Sequence, residues 1–194
     1  MQGRSDDELY SLYLSGNNEA YDELMLRYGD SVTVFLNGYL HNVHDAEDLM
    51  IEAFARIMVK KPLIKVGGFK AYLFKTARNM ATRFHTTQKA AEMFSIDSVE
   101  SLDALTGYSS IVDKNTPDKK LQSKEERTAL YSSLENIDPE LREAVWLVYF
   151  EDMTYAEAAT VMDVKVKRID YLLQRAKEIL RQDLESKGMH RNPL

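Results

Sequence analysis

Between Glu52 and Glu92 the chain carries no carboxylate side chain, although Asp and Glu outnumber Lys and Arg by 31 to 25 over its 194 residues. The same interval holds Arg56, Lys60, Lys61, Lys65, Lys70, Lys75, Arg78, Arg83 and Lys89, with Tyr72 and Phe74 set among them and Asn79 alongside. Cations neutralise phosphates, and an exposed ring among cations stacks an unpaired base for roughly 1–3 kcal/mol. Asn79 can hydrogen-bond a base or a phosphate. These residue types, in a stretch cleared of acids, point to single-stranded nucleic acid. The plainer alternative is a solvated basic face with Phe74 packed on a neighbouring helix. It fits less well, because ordinary solvated faces mix signs.

A second set lies near the C-terminal end. Lys165, Lys167, Arg168, Asp170, Tyr171, Gln174 and Arg175 fall off an apolar stripe of Ile169, Leu172, Leu173, Ala176, Ile179, Leu180 and Leu184. Gln and Arg can read base edges or bind phosphate. A capping box at Thr154 and Glu157, then YAEAATVM, then a tight turn at Asp163-Val164, lead into this helix. That order suggests a helix-turn-helix, whose second helix enters the major groove. An αα-hairpin with a solvated outer face is the alternative.

The elements that must position these residues are helical. Ser5 and Glu8 have capping-box spacing. Ala20, Leu24 and Tyr28, then Val32, Phe35, Leu36 and Tyr39, then Leu49, Ala53 and Ile57 recur at helical spacing, with Phe54 and Met58 on a flank. Pro62 and Gly67-Gly68 break the chain. Phe69 restarts it, with Leu73, Thr76, Ala77, Met80, Ala81 and Phe84 on one side. From about Thr86 to Ser123 the pattern fades into a Ser-, Asp- and Lys-rich stretch, with one short helix expected around Val99 to Leu105. Helix returns over Glu125 to Leu134, and Asp138-Pro139-Glu140 is a strong start signal. No alternating run predicts a strand. The expected fold is all-α: two small helical domains, 1–88 and 124–187, joined by a flexible linker at 89–123, with a tail at 188–194.

Several chemistries are disfavoured. There are no cysteines, which removes disulfides, thiolate catalysis and Cys-built zinc sites. His41, His44, Asp45 and Asp48 fit one metal-binding face poorly, and a helix start explains the Asp residues. No phosphate-cradling Gly loop, GxSxG or HExxH is present. No cofactor is expected and the chain does not read as an enzyme. No apolar run approaches the roughly 20 residues of a membrane span, and MQGRSDDELY lacks a signal-peptide core. A cytoplasmic protein is expected.

Together the two halves resemble bacterial RNA polymerase sigma factors of the small extracytoplasmic-function type, with regions 2 and 4 only. LYLSGNNEAYDELMLRY, DAEDLMIEAF and FKAYLFKTARNMA are similar to region 2; LENIDPELREAVWLVYFEDMTYAEAATVMDV and LLQRAKEIL are similar to region 4. The resemblance implies a transcription initiation factor that binds core RNA polymerase and promoter DNA. Many relatives are also held by an anti-sigma factor. Asp45, Glu47, Asp48, Leu49 and Glu52 would lie near the polymerase. The loop from Lys60 to Gly68 and the helix after it would hold the melted −10 element and trap a flipped base. The last helix would read the −35 element.

The chain departs from the family pattern in three places. Met50-Ile51 stand where Gln is frequent. RFHTTQK is thinner in charge than the usual basic run. Arg168-Ile169-Asp170-Tyr171-Leu172 replaces the common Thr-Val-Lys-Ser-Arg, so Asp170 should repel phosphate or select a cytosine amino group. Two other readings share the same residues: a helix-turn-helix regulator acting without polymerase, and a sigma-like interaction module that barely reads DNA.

Overall fold

The computed structural model describes the backbone of residues 3–94 and 124–187, and the side chains of 3–86 and 130–187. Among the described residues every regular element is a helix. The short helix expected around Val99 to Leu105 lies outside them. The chain divides into two units, Met1–Gly107 and Tyr108–Leu194.

Among its described residues the first unit holds four helices, and local chemistry sets most of their ends. Helix α1 (Asp6–Leu14) starts at Ser5, whose hydroxyl accepts from the Glu8 N–H while Glu8 reaches back to the Ser5 N–H. The Ser5 N–H and, second, the Ser5 hydroxyl donate to the Glu8 carboxylate and hold it below its usual range. In α2 (Asn18–Leu40) Asn17 caps the first turn and His41 ends the helix in the left-handed region at φ 51. In α3 (Val43–Lys60) Asn42 accepts from the His44 and Asp45 N–H groups, and Lys61 closes the helix at φ 43. Helix α4 (Phe69–Phe94) follows the Gly pair. It runs past both the fading pattern at Thr86 and the boundary expected at 88, because QKAAEMF contains good helix formers and no breaker.

Helices α1, α2 and α3 all pack on α4. The core contains Leu9, Leu24, Leu36, Phe54, Ile57, Phe69, Leu73 and Phe74, none more than 1% exposed. Tyrosines tie the helices through their tips: the Tyr21 hydroxyl donates to the Phe54 carbonyl, and Tyr13 donates to the Met58 carbonyl at 2.8 Å. Met58, expected on the flank of the α3 stripe, is 42% exposed.

In the second unit α5 spans Lys124–Asn136 and α6 spans Pro139–Val145, with Asp138 as its cap. The apolar run after α6 does not continue as a plain α-helix. Trp146–Phe150 form a π turn, closed by the Glu151 N–H donating to the Trp146 carbonyl at 3.1 Å. The Trp146 and Phe150 rings stack with centroids 4.6 Å apart and planes at 4°. Helix α7 (Tyr155–Met162) starts with the expected Thr154–Glu157 capping box, and Asp163 at φ 57 turns the chain into α8 (Val166–Ser186). Helix α8 packs on α5, α6 and α7 through Ile169, Leu172, Leu173, Ala176, Leu180 and Leu184. Ile179, expected on that stripe, is half-buried. Ser133, Asp183 and Lys187 add a polar tie between α5 and α8, at 2.5 Å for Ser133 to Asp183 and 2.7 Å for Lys187 to Asp183.

Candidate nucleic-acid interface

The acid-free interval falls on α3 from Ala53 onward, the loop 61–68 and nearly all of α4. Tyr72, Lys75, Asn79 and Arg83 recur three, four and four residues apart, which places them in one stripe along α4 about 16 Å long at 1.5 Å per residue. Tyr72 is 36% exposed; Asn79 and Arg83 are exposed and Lys75 half-buried. Arg78 is half-buried to one side of the stripe. Lys60 and Lys61 are exposed, and the Lys61 ammonium lies 5.2 Å from the centre of the Tyr13 ring. Lys70 is half-buried, with its ammonium 5.7 Å from the centre of the Tyr28 ring.

Phe74 overturns an expectation. Its ring is 0% exposed and meets the Phe35 ring edge to face at 5.1 Å. It is a core residue and cannot stack a base. The cause is packing: α4 is covered by three helices, so its buried arc is wider than the single apolar stripe the spacing predicts. Ala71 is likewise buried, at 7% exposed. Of the two rings placed in the basic stretch, Tyr72 alone reaches the surface.

The loop before α4 carries residues that charge and aromatic content did not flag. Leu63 is 98% exposed and Val66 91%. The signal available in the sequence was two apolar residues inside a Pro- and Gly-marked break. Gly67 sits at φ 75, and the Gly68 N–H closes a turn on the Lys65 carbonyl at 2.8 Å.

On α3, Glu47, Asp48 and Glu52 are exposed and Asp45 is half-buried. Glu52 accepts from Arg56 at 2.7 Å, and Glu47 lies 3.8 Å from His44. Leu49 departs from its expected place near a partner: it is 8% exposed and faces the domain core. Its spacing with Ala53 and Ile57 already put it on the apolar stripe. Ile51, 54% exposed, is the apolar side chain that α3 presents beside these acids. Among the described residues no group of three or more His, Asp or Glu is placed to hold a metal ion. No helix is long and apolar enough to cross a membrane among them.

On α8, Lys165, Lys167, Arg168, Asp170, Tyr171, Gln174 and Arg175 are all exposed. Four of them are already engaged within the domain. Arg168 donates to Glu140 of α6 through Nη2 at 2.5 Å and Nε at 3.3 Å, and its guanidinium lies 5.1 Å from the Tyr171 ring centre. Asp170 accepts from the Gln174 amide at 3.2 Å. Asp170 therefore stands on the outer face of the second helix of a helix-turn-helix, held by its neighbour one turn on.

Two sets of facing helices, the second a helix-turn-helix, each with cations on one exposed face, define a DNA-binding class of fold. The description "Sigma-70 region 2" matches residues 24–91 and "Sigma-70, region 4" matches residues 127–180. The two together cover more than half of the chain, and it belongs to the sigma-70 family. Relatives align along nearly its whole length. They include the RNA polymerase sigma-H factor of Pseudomonas aeruginosa, 24% identical over 93% of this chain and 94% of its own. The ECF RNA polymerase sigma factor SigW of Bacillus subtilis is 25% identical, over 87% and 91%. The ECF RNA polymerase sigma-E factor of Escherichia coli K12 is 24% identical, over 91% and 92%. Among solved structures, CnrH in complex with the cytosolic domain of CnrY shares the fold at a TM-score of 0.63 and 20% identity, covering 93% of this chain and 97% of that one.

Proposed function

We propose that this chain is a transcription initiation factor that binds core RNA polymerase, brings it to promoters and helps open the −10 strands. The observation that carries the reading is the acid-free, cation-rich interval around Tyr72 in a chain of net charge −6. Strand opening bares bases to be stacked and leaves phosphates to be neutralised, and a segment rich in cations and free of its own acids suits both. In this reading residues 1–88 form the region 2 domain, 89–123 the linker and 124–187 the region 4 domain. Tyr72, Lys75, Asn79 and Arg83, with Lys60, Lys61, Lys70 and Arg78 around them, hold the melted −10 strand. Asp45, Glu47, Asp48 and Glu52 face the polymerase. Lys165, Lys167, Asp170, Tyr171, Gln174 and Arg175 meet the −35 duplex, with Arg168 beside them held by Glu140.

No bond is made or broken by this chain; the polymerase supplies that chemistry. Contacts to the −35 duplex and to captured bases offset unstacking, which costs a few kcal/mol. An anti-sigma factor is a further proposed partner. The similar fold of RpoE from Bartonella quintana was solved in complex with the anti-sigma factor NepR, at 18% identity and a TM-score of 0.63. The place of action is the cytoplasm, where polymerase and promoter meet. Run-off transcription with core polymerase on a genomic promoter library tests the reading. Start sites sharing a common −10 and −35 pair are expected; binding to core polymerase without initiation at any promoter would refute it.

A further inference from the structure

The loop 61–68 bares Leu63 and Val66 almost completely and buries none of its side chains fully, Pro62 and Ile64 being half-buried, so side-chain burial does little to fix its shape. Its backbone is tied to the first helix. Both oxygens of the Asp7 carboxylate accept from the Gly67 N–H, at 2.9 and 2.7 Å. The Tyr10 hydroxyl donates to the Pro62 carbonyl at 2.8 Å. Tyr13 donates to the Met58 carbonyl at 2.8 Å where α3 ends, and its ring lies under the Lys61 ammonium. Asp7, Tyr10 and Tyr13 are three residues apart and share one face of α1. The loop is thus held near both ends by one strip of one helix. The turn at Lys65–Gly68 is itself demanding: a Cβ at Gly68 would lie 2.9 Å from the Lys65 carbonyl oxygen.

We infer that Asp7 is a positioning residue for the recognition of single-stranded DNA. Its carboxylate fixes the Lys65–Gly68 turn, so that Leu63, Lys65 and Val66 meet an unpaired base in one geometry rather than many. The inference rests on the single-strand reading of this surface given above. An acid beside a phosphate-binding surface lowers affinity through charge alone, so the role of Asp7 lies in the hydrogen bond it accepts. A loop ordered before binding has less conformational freedom to lose when the strand arrives, and it rejects bases that do not fit the fixed shape.

The test uses the full chain assembled with core polymerase and a pool of single-stranded oligodeoxynucleotides of random sequence, sequenced after capture. Wild-type holoenzyme should enrich particular bases. Asp7→Ala should lose roughly three- to tenfold of that enrichment, the scale of one charge-assisted hydrogen bond shared with solvent. Polymerase affinity and melting temperature should not change. Asp7→Asn keeps an acceptor oxygen and should restore most of the selection. Amide exchange at Gly67 should quicken in Asp7→Ala and not in Asp7→Asn. Tyr10→Phe, which keeps the core ring and removes only the tie to Pro62, should give a smaller loss. Wild-type enrichment in Asp7→Ala overturns the inference, as does an equal loss in Asp7→Ala and Asp7→Asn, which would mean charge and not the accepted bond. If Asp7→Ala does not fold, Tyr10→Phe selecting like wild type has the same force. An unenriched pool with wild-type holoenzyme instead removes the single-strand reading itself, and the positioning role with it.

Discussion

Tyr72 and Phe74 stand two residues apart on α4 and have opposite surroundings. Phe74 fills the space beside Phe35, so Phe74→Ala should cost about 3–5 kcal/mol of unfolding free energy, the range for a deleted core ring. Tyr72→Ala should leave the urea midpoint near that of the wild type and weaken capture of single-stranded −10 DNA by about 1–3 kcal/mol. Urea titration and anisotropy binding on both variants separate the two roles, and an exchange of the two phenotypes would contradict the geometry. The residue types in this stretch were readable from the sequence; which ring faces water was not. A helical projection shows an apolar stripe but not how many helices cover it. Leu49 carries the complementary lesson, because its place on the α3 stripe was visible and the expected partner contact conflicted with it.

Helix boundaries followed from local chemistry where a cap was present. Both capping boxes and the Asp138-Pro139 start appear in the structure at the residues that announced them. The π turn at Trp146–Phe150 was not foreseeable, since its apolar run has the same spacing as a plain helix. Helix α1 couples to the loop after α3 through a group that titrates. Burial pushes the Tyr10 hydroxyl up to about 12. The same cause raises Tyr21. An unfolded tyrosine loses its proton near pH 10, so between about pH 10 and 12 the folded state retains protons the unfolded chain has released. Stability is therefore full below pH 10 and falls as pH rises through that window. Tyr10→Phe should flatten the fall in melting temperature without abolishing it, since Tyr21 remains. Between α6 and α8 the Arg168–Glu140 pair, with side chains 45% and 39% exposed, is too open to contribute much stability. It does occupy a cation that would otherwise meet DNA. Glu140→Gln should raise duplex −35 affinity at low salt and steepen the salt slope by up to about 0.9, as one further phosphate contact forms. Binding titrations across salt concentrations read both quantities, and an unchanged slope would mean that Arg168 stays off the phosphates.

Across the whole molecule, charge is partitioned rather than balanced. The chain is acidic by six charges, yet an interval of nearly forty residues holds no acid. That contrast was readable without coordinates, as was the division into two helical parts, because composition and helical period change together near the middle of the chain. Long-range ties such as Asp7 to Gly67, sixty residues apart, were not, since no local pattern records them. The ring stack in the second unit has an optical consequence. Trp146 is the chain's single tryptophan, 6% exposed and lying flat on Phe150. Emission excited at the red edge of the absorption band therefore comes from the second unit alone, while the tyrosine-rich first unit is dark in that channel. A quencher titration or a denaturant series followed this way watches one half of the protein without any added label.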